Sequence, residues 1–210
     1  AAQLAASVGD SKVTVVTVGP SAIDDSKLKK NILARGADEL VMVADDAYAG
    51  MDAYATAGAL ASAIDGLDGW DVVVCGDGSA DNYAQQVDVQ LACRLGVPVA
   101  TAAVEIAPAD AGLCAKRRLE DVVETVELPM PCVVSVLPDI ALPRIPGMKD
   151  ILAAGKKPMS VEGAPGAPEA TVEVIGVRAP EAEERKLEVK QVSDDGAIEA
   201  FAAAIKNALQ

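Results

Sequence analysis

Between Lys12 and Leu95 the chain switches repeatedly between a strand pattern and a helix pattern, and this alternation limits the fold more than any other feature. Lys12–Val18 (KVTVVTV) is rich in β-branched residues, stops at Gly19-Pro20 and reads as a buried strand. Ile23, Leu28, Ile32 and Leu33 then fall at near-helical spacing, closed by Gly36. Leu40–Val43 predicts a second strand, Tyr54–Ile64 an alanine-rich helix, Asp71–Cys75 a third strand and Gln85–Leu95 the helix that follows it. Such repetition predicts an α/β fold of three layers, a parallel sheet with helices on both faces. Composition agrees, because 51% of residues are hydrophobic and only 2% aromatic. A core of Ala, Val, Leu and Ile lets helices sit close on a sheet.

After Leu95 the pattern changes. Val97–Ile106, Leu113–Leu119, Val122–Leu128 and Cys132–Leu137 read as strands without helices between them, which predicts antiparallel additions or a long hairpin. Pro146–Ala154 predicts a short helix with its proline in the first turn. Residues 160–170, rich in Pro, Gly and Ala, predict a linker between a domain at 1–159 and a tail at 171–210. The tail is expected to hold a strand at Val172–Val177, a charged stretch at Glu181–Lys190 and a helix at Asp194–Leu209, and to pack on a neighbour or a partner subunit. At the other end, Ala1–Ser7 reads as the last turns of a helix with no initiator Met, so an upstream segment, including a first strand, is expected to be missing.

Charge and residue types exclude several functions. The formal net charge is −14, which is the wrong sign for a nucleic-acid partner. There is no histidine, which removes His-dependent triads and most zinc sites. The 4 cysteines, Cys75, Cys93, Cys114 and Cys132, form no C-x-x-C pair; they read as thiols of a reducing compartment, three of them in apolar surroundings. No window approaches the roughly 20 apolar residues of a spanning helix, and a cytoplasmic address is expected.

The segment WDVVVCGDGSADNYAQQVDV carries the most chemistry. Its apolar run ends in a glycine-bearing loop at the carboxyl end of a predicted parallel strand, where open α/β sheets bind ligands. Gly76-x-Gly78-x-x-Asp81 lacks the third glycine of the dinucleotide fingerprint, and no Gly-Lys-Ser/Thr makes it a Walker loop. A Gly-x-Ser-x-Gly elbow does not fit either. Two readings stand. Glycines could let backbone amides and the next helix start approach a phosphate, with Asp77 and Asp81 arguing against a polyphosphate. Alternatively, this is an ordinary turn with Ser79 or Asp81 capping the helix. Lys116-Arg117-Arg118 is either a solvated strand face or a contact for an anionic cofactor or acidic partner. Leu142–Lys149, with two prolines around Arg144 and Ile145, is either core packing or a docking surface. Lys156-Lys157 suits the end of the helix before it.

Three segments together resemble the beta subunit of electron transfer flavoprotein, most closely the branch associated with nitrogen-fixation and carnitine operons. They are Cys75–Asp81 through Gln86-Val87, Arg117-x-x-Glu120-Asp121-x-x-Glu124 leading to Leu128-Pro129-Met130-Pro131, and Pro143-Arg144-Ile145-Pro146-x-Met148-Lys149 through Pro158. The resemblance implies an electron carrier rather than an enzyme, in a heterodimer whose alpha subunit holds FAD and whose partners are a donor dehydrogenase and a downstream oxidoreductase. It implies AMP or a second FAD in the beta subunit, at Val18, Gly76, Asp77, Gly78, Ser79, Ala80, Asp81, Gln85, Gln86 and Val87, the last three offering amides to phosphate. It places Arg117 at the subunit and flavin interface, and Arg144, Ile145 and Met148 at a docking surface. Departures accompany it: Arg118 stands where Glu is frequent, Val87 replaces a threonine, and the segment after Pro143 is short, so a different electron donor is expected. A stand-alone adenine-nucleotide-binding protein of universal-stress type is the alternative. An adenylating enzyme would need a Ser/Gly-rich pyrophosphate loop, which is absent from the sequence.

Overall fold

The computed structural model describes residues 1–166, 171–182 and 187–209. Part of the expected linker (167–170) and of the expected charged stretch (183–186) lies outside the described residues. The chain forms two compact units, Ala1–Glu173 and Val174–Gln210. In the first, α1 (Ala2–Val8), β1 (Thr14–Gly19), α2 (Ser26–Leu33), β2 (Glu39–Ala44), α3 (Ala53–Asp65), β3 (Val72–Gly76) and α4 (Val87–Leu95) alternate as the periodicity predicts. Then come β4 (Val99–Ala109), β5 (Gly112–Arg118), β6 (Val123–Pro129), β7 (Cys132–Val136), α5 (Met148–Ala154) and β8 (Met159–Glu162). The second unit contains α6 (Ala197–Ala208). Val172–Val177 forms no strand; Ile175 and Val177 are exposed and have no ladder to join.

The strands make two hydrogen-bonded sheets rather than one. The first has the order β1-β2-β8 and is wholly parallel. The second has the order β3-β7-β4-β5-β6, with β7 parallel to both β3 and β4, and β4-β5-β6 antiparallel. Two expectations are corrected. β7 follows β6 in sequence but crosses to a parallel place between β3 and β4, because its four buried residues Cys132–Ser135 need strands on both sides. Ser160–Glu162, expected as linker, pairs with β2 from Val41 to Val43.

Side-chain alternation builds the layers. Val15 of β1 points to α2 and α5, in a cluster around Leu33, Leu40, Met42 and Ala154. Val16, one residue on, points to the opposite face, where Ala57 and Ala61 of α3 and Leu91 of α4 also receive Val73 and Cys75 of β3. That shared cover of small side chains joins the two sheets where no strand pairing does. Val72 and Val74 of β3 turn to the remaining face, with Leu4 of α1 and the buried Leu113, Ala115 and Val134. Aspartates fix the entries of two helices: Asp25 accepts from the Lys27 and Leu28 amides at 2.9 and 2.8 Å, and Asp52 from the Ala55 amide at 2.7 Å. Asp52 also accepts from the Thr171 and Val172 amides at 3.0 and 3.1 Å, which ties this segment down without a strand. Lys157 corrects another expectation. Its ammonium donates to the Leu33 and Ala37 carbonyls, so it serves the end of α2 rather than α5.

The β5–β6 pair depends on Gly112, where an added Cβ would lie 2.0 Å from the Leu128 carbonyl oxygen. Gly112→Ala is therefore expected to lower unfolding stability by more than about 2 kcal/mol in urea titration. Gly76→Ala, whose Cβ meets nothing within 4 Å, is expected to fall well short of that loss.

Candidate functional site

The loop from Gly76 to Gln86 leaves the carboxyl end of parallel β3 and enters α4. Its anchor is Asp77, only 4% exposed. One carboxylate oxygen accepts from the Tyr83 hydroxyl at 2.8 Å and the Gln85 amide side chain at 2.7 Å. The other accepts from the Ala102 amide at 3.2 Å and the Ser135 hydroxyl at 3.4 Å. The Asp77 amide in turn donates to the Val136 carbonyl at 3.1 Å. Asp77 thus positions the loop from within, and it also lines the cleft beside the loop. The loop is bent to reach it: Tyr83 and Gln85 have φ of 44° and 51°. The Tyr83 ring lies over Gly78, where a Cβ would come within 2.7 Å of it. The bond to Asp77 raises the Tyr83 hydroxyl above its usual range, because the phenolate would face a carboxylate.

Ser79, Ala80 and Asp81 form an exposed turn. Asp81 is held below the usual carboxylate range by the Ser79 hydroxyl first, then by the Asn82 amide. Neither residue caps α4. Its N-cap is Gln86, with no side-chain hydrogen bond to the first-turn amides, whereas α2 and α3 each carry an aspartate cap. Val87 begins the helix and packs towards Leu91. Val18, near the end of β1, packs in a cluster with Tyr48 and Met51.

Beside the loop lies a cleft of about 740 Å³. Asp77, Gln85, Asp88 and Val89 form one side, Thr101 and Ala102 the floor, and residues 118–122 of the β5–β6 turn the other side. The floor is a β-bulge: the β4–β7 register shifts between Ala100 and Ala103, and Ala102 has φ of 56°. Arg117 braces the bulge, donating to the Thr101 carbonyl at 3.0 Å and its hydroxyl at 2.9 Å, with Glu124 at 3.4 Å. Arg118 pairs with Asp139 at 3.0 Å, and Lys116 with Glu105 at 2.8 Å. The basic run is thereby committed within the fold. Tyr83, Asp88, Thr101 and Ala102 went unnoticed in the sequence; the signal for Asp88 was an acid standing between Val87 and Val89 on an apolar helix start.

The third group lies elsewhere. Arg144 donates to Asp150 at 3.0 Å and its carbonyl accepts from Arg35 at 3.2 Å. Around it Leu142, Ile145, Met148 and Leu152 are 91%, 89%, 78% and 70% exposed, so this segment is surface rather than core.

A model of the electron transfer flavoprotein domain matches residues 1–166. The chain belongs to the electron transfer flavoprotein domain family. It is thus of an electron-carrier family that generally works through flavin. The match covers the cleft, the loop and the segment around Arg144, and it does not favour the stand-alone alternative. Among the described residues, no helix is long and apolar enough to cross a membrane, and no three His, Cys, Asp or Glu side chains converge as a metal would need.

The thiols report on this site. Cys132 is buried, Cys75 and Cys114 half-buried, and Cys93 exposed on α4. Cys75 is pushed up to about 11 by burial first and by the Asp88 charge second. Its folded-state value exceeds the 9.0 of an ordinary thiol, so the folded chain binds more protons between these values. Its contribution to stability is complete below pH 9 and is lost as pH rises towards 11. Iodoacetamide at pH 8 is expected to alkylate Cys93 well before Cys75, and Cys75→Ala to flatten the alkaline fall in stability. Equal labelling rates for the two thiols would contradict this placement.

Proposed function

We propose that this chain is the beta subunit of a heterodimeric electron transfer flavoprotein, carrying electrons between a donor dehydrogenase and a downstream oxidoreductase. The observation that carries the reading is the uncapped first turn of α4, presented at the end of a parallel strand by a loop rigidly latched through Asp77. Free amides at a helix start, with the positive end of the helix dipole, suit the phosphate of an adenine nucleotide. Gly76 leaves the backbone bare on the approach, since no atom lies within 4 Å of where its Cβ would be. The cleft itself suits phosphate poorly, being lined by Asp77, Asp88, Glu120 and Asp121. Gln86, Val87 and the turn Gly78–Asp81 are therefore the residues that would hold AMP, or the adenylate half of a second FAD.

The flavin of the alpha subunit supplies the redox chemistry when bound. This chain's part is to orient and to exclude. Arg117, clamped to Thr101 and Glu124, fixes the floor of the cleft, which is expected to face the partner subunit and its flavin. The exposed apolar set at Leu142, Ile145 and Met148, with Arg144 among them, is the surface offered to the donor protein. The 171–210 tail is assigned to contact with the partner subunit or a neighbour, and the free thiols accord with a cytoplasmic address.

The test is to purify the chain with its partner subunit, denature the complex and quantify released nucleotides against protein. One FAD and one AMP per heterodimer are expected of a simple carrier, and two FAD without AMP of a bifurcating one; neither nucleotide would end the reading. Gln86→Pro, which distorts the helix start, is expected to abolish nucleotide retention by this chain, and unchanged retention would move the phosphate elsewhere.

Arg144→Glu reverses one charge of the docking surface. It is expected to leave the heterodimer intact and to slow electron acceptance from the donor about tenfold at low salt, as charge steering implies. Stopped-flow traces indistinguishable from wild type would remove that role.

A further inference from the structure

The cleft presents a carboxylate that no described residue answers with a hydrogen bond. Asp88 is 3% exposed and lines the cleft, yet it takes no hydrogen bond from any described residue. Its carboxylate oxygens are not sealed in the core, since among the described residues the buried side-chain atom left without a partner is Gln90 Oε1; the charge is open to whatever enters the cleft. The dipole of α4 favours its charge but supplies no donor within reach. Asp77, by contrast, is saturated by four donors. Arg118, the one cation lining the cleft among the described residues, is directed to Asp139. Two more carboxylates, Glu120 and Asp121, stand on the rim without hydrogen-bond partners among the described residues.

The walls are of the opposite character. Val89, Leu119 and Val122 line the same cleft and are 43%, 37% and 53% exposed. An apolar mouth over a buried acid matches a long aliphatic stem that ends in a cation. No cluster of three ligating side chains is present among the described residues, so a metal ion is a poor occupant. Charge complementarity points to protein, since the chain carries −14 and an arginine or lysine brings both stem and charge.

We propose that the cleft is a socket for a basic side chain of the partner subunit, with Asp88 binding its charged head, Val89, Leu119 and Val122 covering its stem, and Glu120 and Asp121 steering its approach. This inference rests on the heterodimer reading. It separates the cleft from the nucleotide, which is assigned to the loop and the amides of α4.

The experiment uses the chain co-purified with its partner subunit and follows dissociation after dilution. Asp88→Asn keeps the shape and removes the charge, and is expected to raise the dissociation rate about 30-fold or more, as for loss of one member of a desolvated charge pair. The double variant Glu120→Gln/Asp121→Asn is expected to slow association and flatten its salt dependence, with dissociation nearly unchanged. Val122→Arg, on an exposed rim position, places a cation from this chain in the socket and is expected to weaken the complex without reliance on a core substitution. Wild-type dissociation rates for Asp88→Asn and Val122→Arg would overturn the proposal. So would loss of bound nucleotide from Asp88→Asn with the complex intact, because the cleft would then belong to the nucleotide. Failure of the wild-type chain to form any complex would instead defeat the heterodimer reading, and this socket with it.

Discussion

The carboxylate of Asp77 holds together everything around the site. It gathers a phenol and an amide from its own loop, a backbone N–H from the β4 bulge and a hydroxyl from β7. Hydrogen bonds to an ionised group contribute roughly 1.5–3 kcal/mol each when buried, and leaving their donors unpaired costs a similar amount. The consequence is geometric as much as energetic. Tyr83, Gln85 and Ala102 all adopt left-handed backbone, a strain that persists only where surrounding contacts over-determine it. One anion therefore sets the path of the loop, the shape of the cleft floor and the direction from which α4 is reached.

From that constraint a division of charge follows. Acids line the cleft while α4 starts without a side-chain cap, so two regions a few residues apart suit charges of opposite sign. The basic run that could have blurred this contrast does not, because Lys116, Arg117 and Arg118 each have an internal acidic or carbonyl partner. Arg117 acts through Thr101, bracing the bulge from behind. A positively charged group entering the cleft would meet little competition from within the chain.

How much of this was legible depended on whether the sequence carried a periodic signal. The strand–helix alternation was readable because Val and Thr runs such as Thr14–Val18 suit only a strand covered on both faces. β8 was not, since its four residues sit between Pro158 and Gly163 and become a strand only when β2 offers an edge. The reverse error occurred at Val172–Val177, where β-branched composition met no partner strand. β7 was seen as a strand, but its direction depends on a crossover that local pattern does not encode. At the site, glycines marked the loop, while side-chain direction stayed hidden: Asp77 turns inward and Asp88 into the cleft, and both are plain aspartates in the sequence.

Scattered surface valines need no explanation, but Leu142, Ile145, Met148 and Leu152 are crowded into eleven residues and are each at least 70% exposed. The same short helix turns Ala154 wholly inward and packs Ile151 against the α2 cluster, so α5 is fixed on one side and bare on the other. A rigid element that displays large apolar side chains loses little entropy when a partner covers it. This surface and the acidic cleft are built differently, one from apolar area and one from an unanswered charge, and they lie on different strand–helix connections. The proposed heterodimeric carrier would have use for both kinds: a charged socket would select a permanent partner by one fitted group, and an apolar face could be covered and released repeatedly.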